Sequence, residues 1–252
     1  MKYYRFRYEK KIRYGILKGD SLQLISGSPF KRFTALPTLI PIGEVALLPP
    51  VKPSKIVAVG RNYRDHAAER NKPVPKEPLL FLKPSSAVIG PHDAILLPEM
   101  SQRVDYEGEL ALVLKKKASR LSEDADVADY ILGYTCFNDV TARDLQDRDV
   151  QFTRAKSFDT FAAIGPCISS GLDPGAIRLK TFLNGKLRQS GNTKNFLFPV
   201  PFLVRYISRI MTLFPGDVIT TGTPAGVGPM HTGDRVDIQI EGIGTLSNTV
   251  TA

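Results

Sequence analysis

The stretch VDYEGELALVL, Val104 to Leu114, alternates as a strand does but places Glu107 and Glu109 two residues apart. Successive strand side chains point to opposite faces. Both glutamates are therefore predicted on one face, about 6.5 Å apart, beside Ala111 and Val113, with Leu110, Leu112 and Leu114 opposite. If that face is buried, two ionised carboxylates repel by about 2.5 kcal/mol at an effective dielectric near 20, and they lose hydration as well. A positive partner is required there.

Working outward, GYTCFND (133–139) reads as an apolar strand ending at Asp139, followed by the helical DVTARDLQDRD. Asp139 could be a helix N-cap. If its strand neighbours the one carrying the glutamates, three carboxylates converge instead, a set that suits a hard cation such as Mg²⁺, Mn²⁺ or Ca²⁺. Three widely spaced histidines and two unpaired cysteines give zinc little support, and Cys136 and Cys167 read as buried free thiols.

Upstream, GRNYRDHAAE sets His66 and Glu69 one helical turn apart. The pair is either an ordinary exposed pair or a dyad in which Glu69 orients the imidazole so that His66 can draw a proton from water. Lys156, in RAKSFDTF, lies among residues whose hydropathy suggests partial burial, where an ammonium needs an anionic partner such as a substrate carboxylate or a developing oxyanion. PGDVITTGTPAGVG (215–228) is either a tight turn or a loop bringing backbone N–H groups and the Thr221 or Thr223 hydroxyl to a ligand anion; it lacks a P-loop ending, so ATP is not indicated.

The 252 residues, 42% hydrophobic, are enough for a packed core, and residues 1–50 are predicted to form a small β domain around the KIRYGILKG–LQLISG hairpin. A proline-punctuated passage leads into the main domain, 51–252. SEDADVADYIL is predicted as a capped helix and RVDIQIEGIGTLSNTV as a hairpin with Val236, Ile238 and Ile240 inward. Strands outnumber helices, so the fold class is β-rich α+β. The formal charge is +9, of which residues 1–20 contribute +5: seven Lys or Arg against Glu9 and Asp20. So local an excess argues against nucleic acid, although a basic nucleic-acid-binding protein with a structural metal is the non-enzymatic alternative. No apolar run is long enough to cross a membrane and no signal peptide is evident, which gives a cytoplasmic expectation.

Together, GRNYRDHAAE, PLLFLKPSSAVIGP, VDYEGELALVL, GYTCFNDVTARDLQ, AKSFDTF, PGDVITTGTPAGVG and GDRVDIQIEGIGTLSNTV resemble, in order, the short members of the fumarylacetoacetate hydrolase family. These include acylpyruvate hydrolases, oxaloacetate decarboxylases and hydroxyheptadienedioate isomerases. The resemblance implies a mixed β-sandwich roll with a smaller amino-terminal domain, a homodimer, and a 2-oxo acid substrate. It puts the metal ligands at Glu107, Glu109 and Asp139, catalytic groups at His66, Glu69 and Lys156, with the first two on a lid, and substrate contacts at Arg143, Gln146 and Thr223. DRDVQFTRA, between Gln146 and Lys156, is shorter than in some relatives. Carbon–carbon hydrolysis of a 2,4-dioxo acid is the expected reaction, with isomerisation of a dienoic diacid or oxaloacetate decarboxylation as alternatives. Arg61, Arg143 and Arg154 would suit a dicarboxylate.

Overall fold

A computed structural model describes residues 1–252. Two β-sheets pack face to face, with short helices at the rim. The larger has twelve strands, and its centre is antiparallel: Gly108–Leu114 lies between Ile131–Asp139 and Val218–Thr220, and Ala162–Ser169 flanks Ile131–Asp139. Two parallel pairings make the sheet mixed, Val218–Thr220 with Ile56–Gly60 and Val88–Ile89 with Ala162–Ser169. The second sheet has five strands and includes the Arg235–Ile240 and Gly244–Thr251 hairpin. Val236, Ile238 and Ile240 are buried as the alternation requires.

Leu110, Leu112 and Leu114 join Leu179, Ile238 and Leu246 of the second sheet in the main core, while Ala111 and Val113 join Phe137, Ile164 and Val218 in a smaller cluster. The predicted two-faced alternation therefore holds, with both faces buried. The first fifty residues continue the large sheet: Lys2–Tyr8 pairs with Lys11–Lys18 and, through Tyr3 opposite Ile168, with the main body. Gly19, in the left-handed region at φ 57°, turns the predicted hairpin from Lys18 to Ser21.

Four α-helices are short or peripheral: α1 (Arg64–Glu69), α2 (Arg143–Arg148), α3 (Thr153–Lys156) and α4 (Val200–Ile210). Two expectations are corrected, and one of the two readings of Asp139 is excluded. SEDADVADYIL forms only a single 3-10 turn, Val127–Tyr130, because the strand beginning at Ile131 takes the following residues into the sheet. Asp139 ends its strand rather than capping α2, whose N-cap position is Ala142. VDYEGELALVL is two strands: Val104–Tyr106 belongs to a separate three-stranded sheet, and the chain changes sheets at Glu107.

The sheet change depends on Gly108. A Cβ there would lie 2.1 Å from Thr181 Oγ1, itself buried without a hydrogen-bond partner. Gly108→Ala is expected to cost about 1–3 kcal/mol of stability through overpacking, measured by urea unfolding. Adding Thr181→Ala should recover most of the loss; additive losses would show that the contact is not the cause.

Candidate metal centre and its cavity

Glu109 sits opposite Phe137, and Asp139 lies two residues beyond Phe137, so strand alternation points both carboxylates to the same face. Glu107 is held at the sheet change, its N–H donating to Asn138 Oδ1 (2.9 Å) and its carbonyl accepting from Asp139 N (2.9 Å). One oxygen from each of Glu107, Glu109 and Asp139 lies within 4.8 Å of the others, and all three side chains are buried.

Cations surround them unevenly. Lys156 Nζ donates to Glu107 Oε2 at 3.0 Å and Asp139 Oδ2 at 2.6 Å. Lys83 Nζ pairs with Asp139 Oδ1 at 2.6 Å and also donates to the Lys156 and Val140 carbonyls. Arg143 donates to Glu107 Oε1, to Asp105 Oδ2 at 2.8 Å and to Gln146 Oε1 at 2.5 Å. Arg103 also pairs with Asp105 at 2.9 Å. Four carboxylates thus face four cations, and the cluster is close to neutral.

That neutrality is not shared out equally. Burial alone would raise the Glu107 carboxyl, but the Lys156 ammonium and then the Arg143 guanidinium outweigh it and hold this acid well below the usual range. Glu109 goes the other way: burial, then the Asp139 and Glu107 charges, push it well above the ordinary glutamate value. Its Oε2 accepts a hydrogen bond from Gly222 N–H at 2.8 Å. Two unit charges 4.8 Å apart repel by about 3.5 kcal/mol at an effective dielectric of 20, so positive charge is wanted beside Glu109. An all-carboxylate donor set with one under-compensated member fits a hard divalent ion.

The two lysines differ in freedom. Lys83, fully buried, has three oxygen partners, donating to the Val140 and Lys156 carbonyls and ion-pairing with Asp139 Oδ1, and burial lowers its pKa despite Asp139. Lys156 has two such partners, lies 5.1 Å from the Phe81 ring centroid, and lines the cavity. Burial is the largest single effect and lowers its pKa, but Asp139 and Glu107 together outweigh it and raise the pKa, so it stays an ammonium at neutral pH. Lys156 is therefore the cation able to turn to a ligand.

α1 brings the proposed base. His66 Nδ1 lies 3.0 Å from Glu69 Oε2, while Glu69 Oε1 accepts from Gly226 N–H at 2.8 Å. The helix is fixed further by Arg70 to Asp147 (2.6 Å). With Nδ1–H given to Glu69, Nε2 is the nitrogen left for a ligand.

A cavity of about 290 Å³ joins these groups, a volume suited to a small acid. It is lined by His66, Glu107, Glu109, Asp139, Arg143, Gln146, Lys156 and Thr223, together with Phe81, Phe152, Arg61, Arg70 and Lys72. Of the nine residues singled out from the sequence, Glu69 alone does not line it; it touches His66 instead. Arg154 is elsewhere, paired with Asp149 at 2.9 Å. The Thr223 hydroxyl gives its proton to the Gly108 carbonyl (2.8 Å) and accepts from Gln189 Nε2 (2.7 Å). Its backbone N–H, which has no partner in the chain, is the donor left at that position. Lys83, Asp105 and Gln189 were missed. An isolated lysine closing the apolar run LLFLK was the one local signal, for Lys83.

The description "Fumarylacetoacetate (FAA) hydrolase C-terminal" matches residues 55–251, and "Rv2993c-like, N-terminal" matches residues 1–50. The human protein named oxaloacetate tautomerase FAHD2A, mitochondrial, is 42% identical over 225 residues, 84% of this chain and 71% of that one. The crystal structure of 5-carboxymethyl-2-hydroxymuconate delta-isomerase from Mycobacterium smegmatis superposes with a TM-score of 0.93 at 42% identity, covering 100% of this chain and 99% of that one. Maleylpyruvate hydrolase from Sphingobium sp. SYK-6, solved with manganese(II) and pyruvate, gives 0.84 at 30% identity with the same coverage. With the match running from residue 55 to the end of the second sheet, and the carboxylate cluster at its centre, this chain belongs to the fumarylacetoacetate hydrolase family.

Proposed function

We propose that this protein cleaves the C3–C4 bond of a 2,4-dioxo acid by divalent-metal-dependent hydrolysis. The observation that carries the proposal is a single cavity holding three buried carboxylates, the Lys156 ammonium and the free Nε2 of His66. Glu107, Glu109 and Asp139 would hold Mg²⁺ or Mn²⁺, which when bound polarises the 2-oxo group and favours the enolate of the leaving pyruvate.

The chain's own residues supply the rest. The Thr223 N–H and Gln146 Nε2 are donors suited to the 1-carboxylate. His66 Nε2 takes a proton from water as its oxygen attacks the C4 carbonyl, with Glu69 fixing the ring and stabilising the imidazolium. Lys156 offers a proton donor to the oxyanion at C4. When C3–C4 breaks, the bonding pair moves onto the pyruvate fragment, and His66 returns the proton to C3. Release of a carboxylic acid and pyruvate restores the site. The likeness to oxaloacetate tautomerases favours a second reading, in which the same base moves a proton between C3 and the 2-oxygen without attack by water.

The test follows loss of acetylpyruvate and of enol-oxaloacetate by protein stripped with EDTA and then given Mg²⁺ or Mn²⁺. Metal-restored cleavage of acetylpyruvate to acetate and pyruvate is expected. Turnover of oxaloacetate alone would select the tautomerase reading, and no metal-dependent turnover of either acid would overturn both.

A further inference from the structure

Two cations lining the cavity have no carboxylate partner, Arg61 and Lys72. The other acids there are already matched: Asp147 by Arg70 at 2.6 Å and Asp149 by Arg154 at 2.9 Å. The carboxylate cluster and its four cations are also balanced. A divalent ion would add two positive charges, which the 1-carboxylate and the developing enolate of a 2-oxo acid cancel between them. Arg61 and Lys72 are left over.

Arg61 is also the better placed of the two. It follows the strand Ile56–Gly60 and is half-buried, whereas Lys72 is exposed. Its neighbour Asn62 is fully buried and riveted: Nδ2 donates to the Thr221 carbonyl at 2.8 Å and the Phe198 carbonyl at 3.1 Å, and Oδ1 accepts from Phe198 N–H at 2.7 Å. Arg61 itself has φ 59°, in the left-handed region that glycine occupies readily and arginine does not. A position that glycine would fill with less strain is held by an arginine that lines the cavity and has no carboxylate partner.

We infer that Arg61 is a specificity-determining residue that binds a second carboxylate of the substrate, so that the site prefers 2-oxo diacids to 2-oxo monoacids. This rests on the 2-oxo acid reading given above. The guanidinium forms a charge-assisted, two-pronged hydrogen bond to the far carboxylate, with Lys72 adding a weaker, solvent-screened attraction.

The test uses binding, so it does not depend on turnover. Mn²⁺-loaded protein is titrated calorimetrically with 2-oxopentanedioate, with 2-oxopentanoate, and with oxalate, which presents only the part that meets the metal. Wild type should bind the diacid about 10- to 100-fold more tightly than the monoacid. Arg61→Gly should reduce that ratio to below about threefold and leave oxalate affinity within about threefold, with a melting temperature no lower than wild type; Arg61→Lys should keep part of the preference. Three results would overturn the assignment. These are no preference in wild type, a preference that survives Arg61→Gly, or an Arg61→Gly variant that loses oxalate and diacid equally. Failure of wild type to bind any of the three acids would remove the 2-oxo acid reading, and the assignment with it.

Discussion

Glu109→Gln is expected to abolish metal-dependent turnover while leaving the metal-free fold at least as stable as wild type. The two halves of this expectation have one cause. Glu109 is the member of the cluster least compensated by cations, so its ionised form is disfavoured by the fold and its pKa is raised by burial and by Asp139 and Glu107. A raised carboxyl pKa means that stability is lost as pH climbs from the ordinary glutamate range through the folded-state value. Glutamine has the same shape, can still accept from Gly222 N–H, and removes that penalty. The variant should therefore match or exceed the wild-type melting temperature at pH 7 without metal, with any advantage vanishing near pH 4, where Glu109 is protonated in both states. Added Mn²⁺ should raise the wild-type melting temperature and not that of the variant. Loss of several kcal/mol of transition-state stabilisation corresponds to a fall in turnover of about a thousandfold or more. A variant that keeps activity, or one that unfolds without metal, would contradict this picture of the cluster.

The second large effect separates the base from the ion. His66→Ala is expected to lower hydrolysis by about 10²- to 10⁴-fold, the range for a positioned general base, with Mn²⁺ affinity unchanged because His66 is not among the three carboxylates. Glu69→Gln should be milder, about 10- to 100-fold by analogy with other orienting partners of histidine. It keeps an acceptor near Nδ1 but loses the charge that stabilises the imidazolium. Rates come from steady-state assays and metal affinity from the Mn²⁺ paramagnetic signal. Full hydrolase activity in His66→Ala would remove the proposed base; weakened Mn²⁺ binding would mean that the imidazole belongs to the metal centre.

The sequence carried the strands well because alternation is a local property. Leu110, Leu112 and Leu114 against Ala111 and Val113 fall into two buried clusters, as their spacing requires. The sheet change at Glu107 was not legible: side chains alternate identically whether one strand continues or two abut, and only the clash of a Cβ at Gly108 with Thr181, seventy-three residues away, exposes it. Asp139 was ambiguous for a similar reason, since a carboxylate between a strand and a helix serves equally as cap or ligand until the neighbouring strand is known. The balancing groups were the least readable. Apart from the neighbouring Arg103–Asp105 pair, Lys83, Asp105 and Gln189 act through partners 34 to 81 positions away along the chain, such as Lys83 with Asp139 or Gln189 with Gly108, and no local pattern announces such pairs. The predicted helix in SEDADVADYIL failed because tertiary pairing of Ile131 overrode a sound capping signal.

The central claim is that Glu107, Glu109 and Asp139 gather one hard cation in the cavity that His66 faces. Anomalous diffraction from crystals grown with Mn²⁺ tests it directly. The expected result is a single strong manganese peak bonded to one oxygen of each of the three carboxylates at about 2.0–2.3 Å, with Lys156 turned toward the ligand side. A cluster still closed by Lys156 at saturating Mn²⁺, or a peak elsewhere in the molecule, would contradict it.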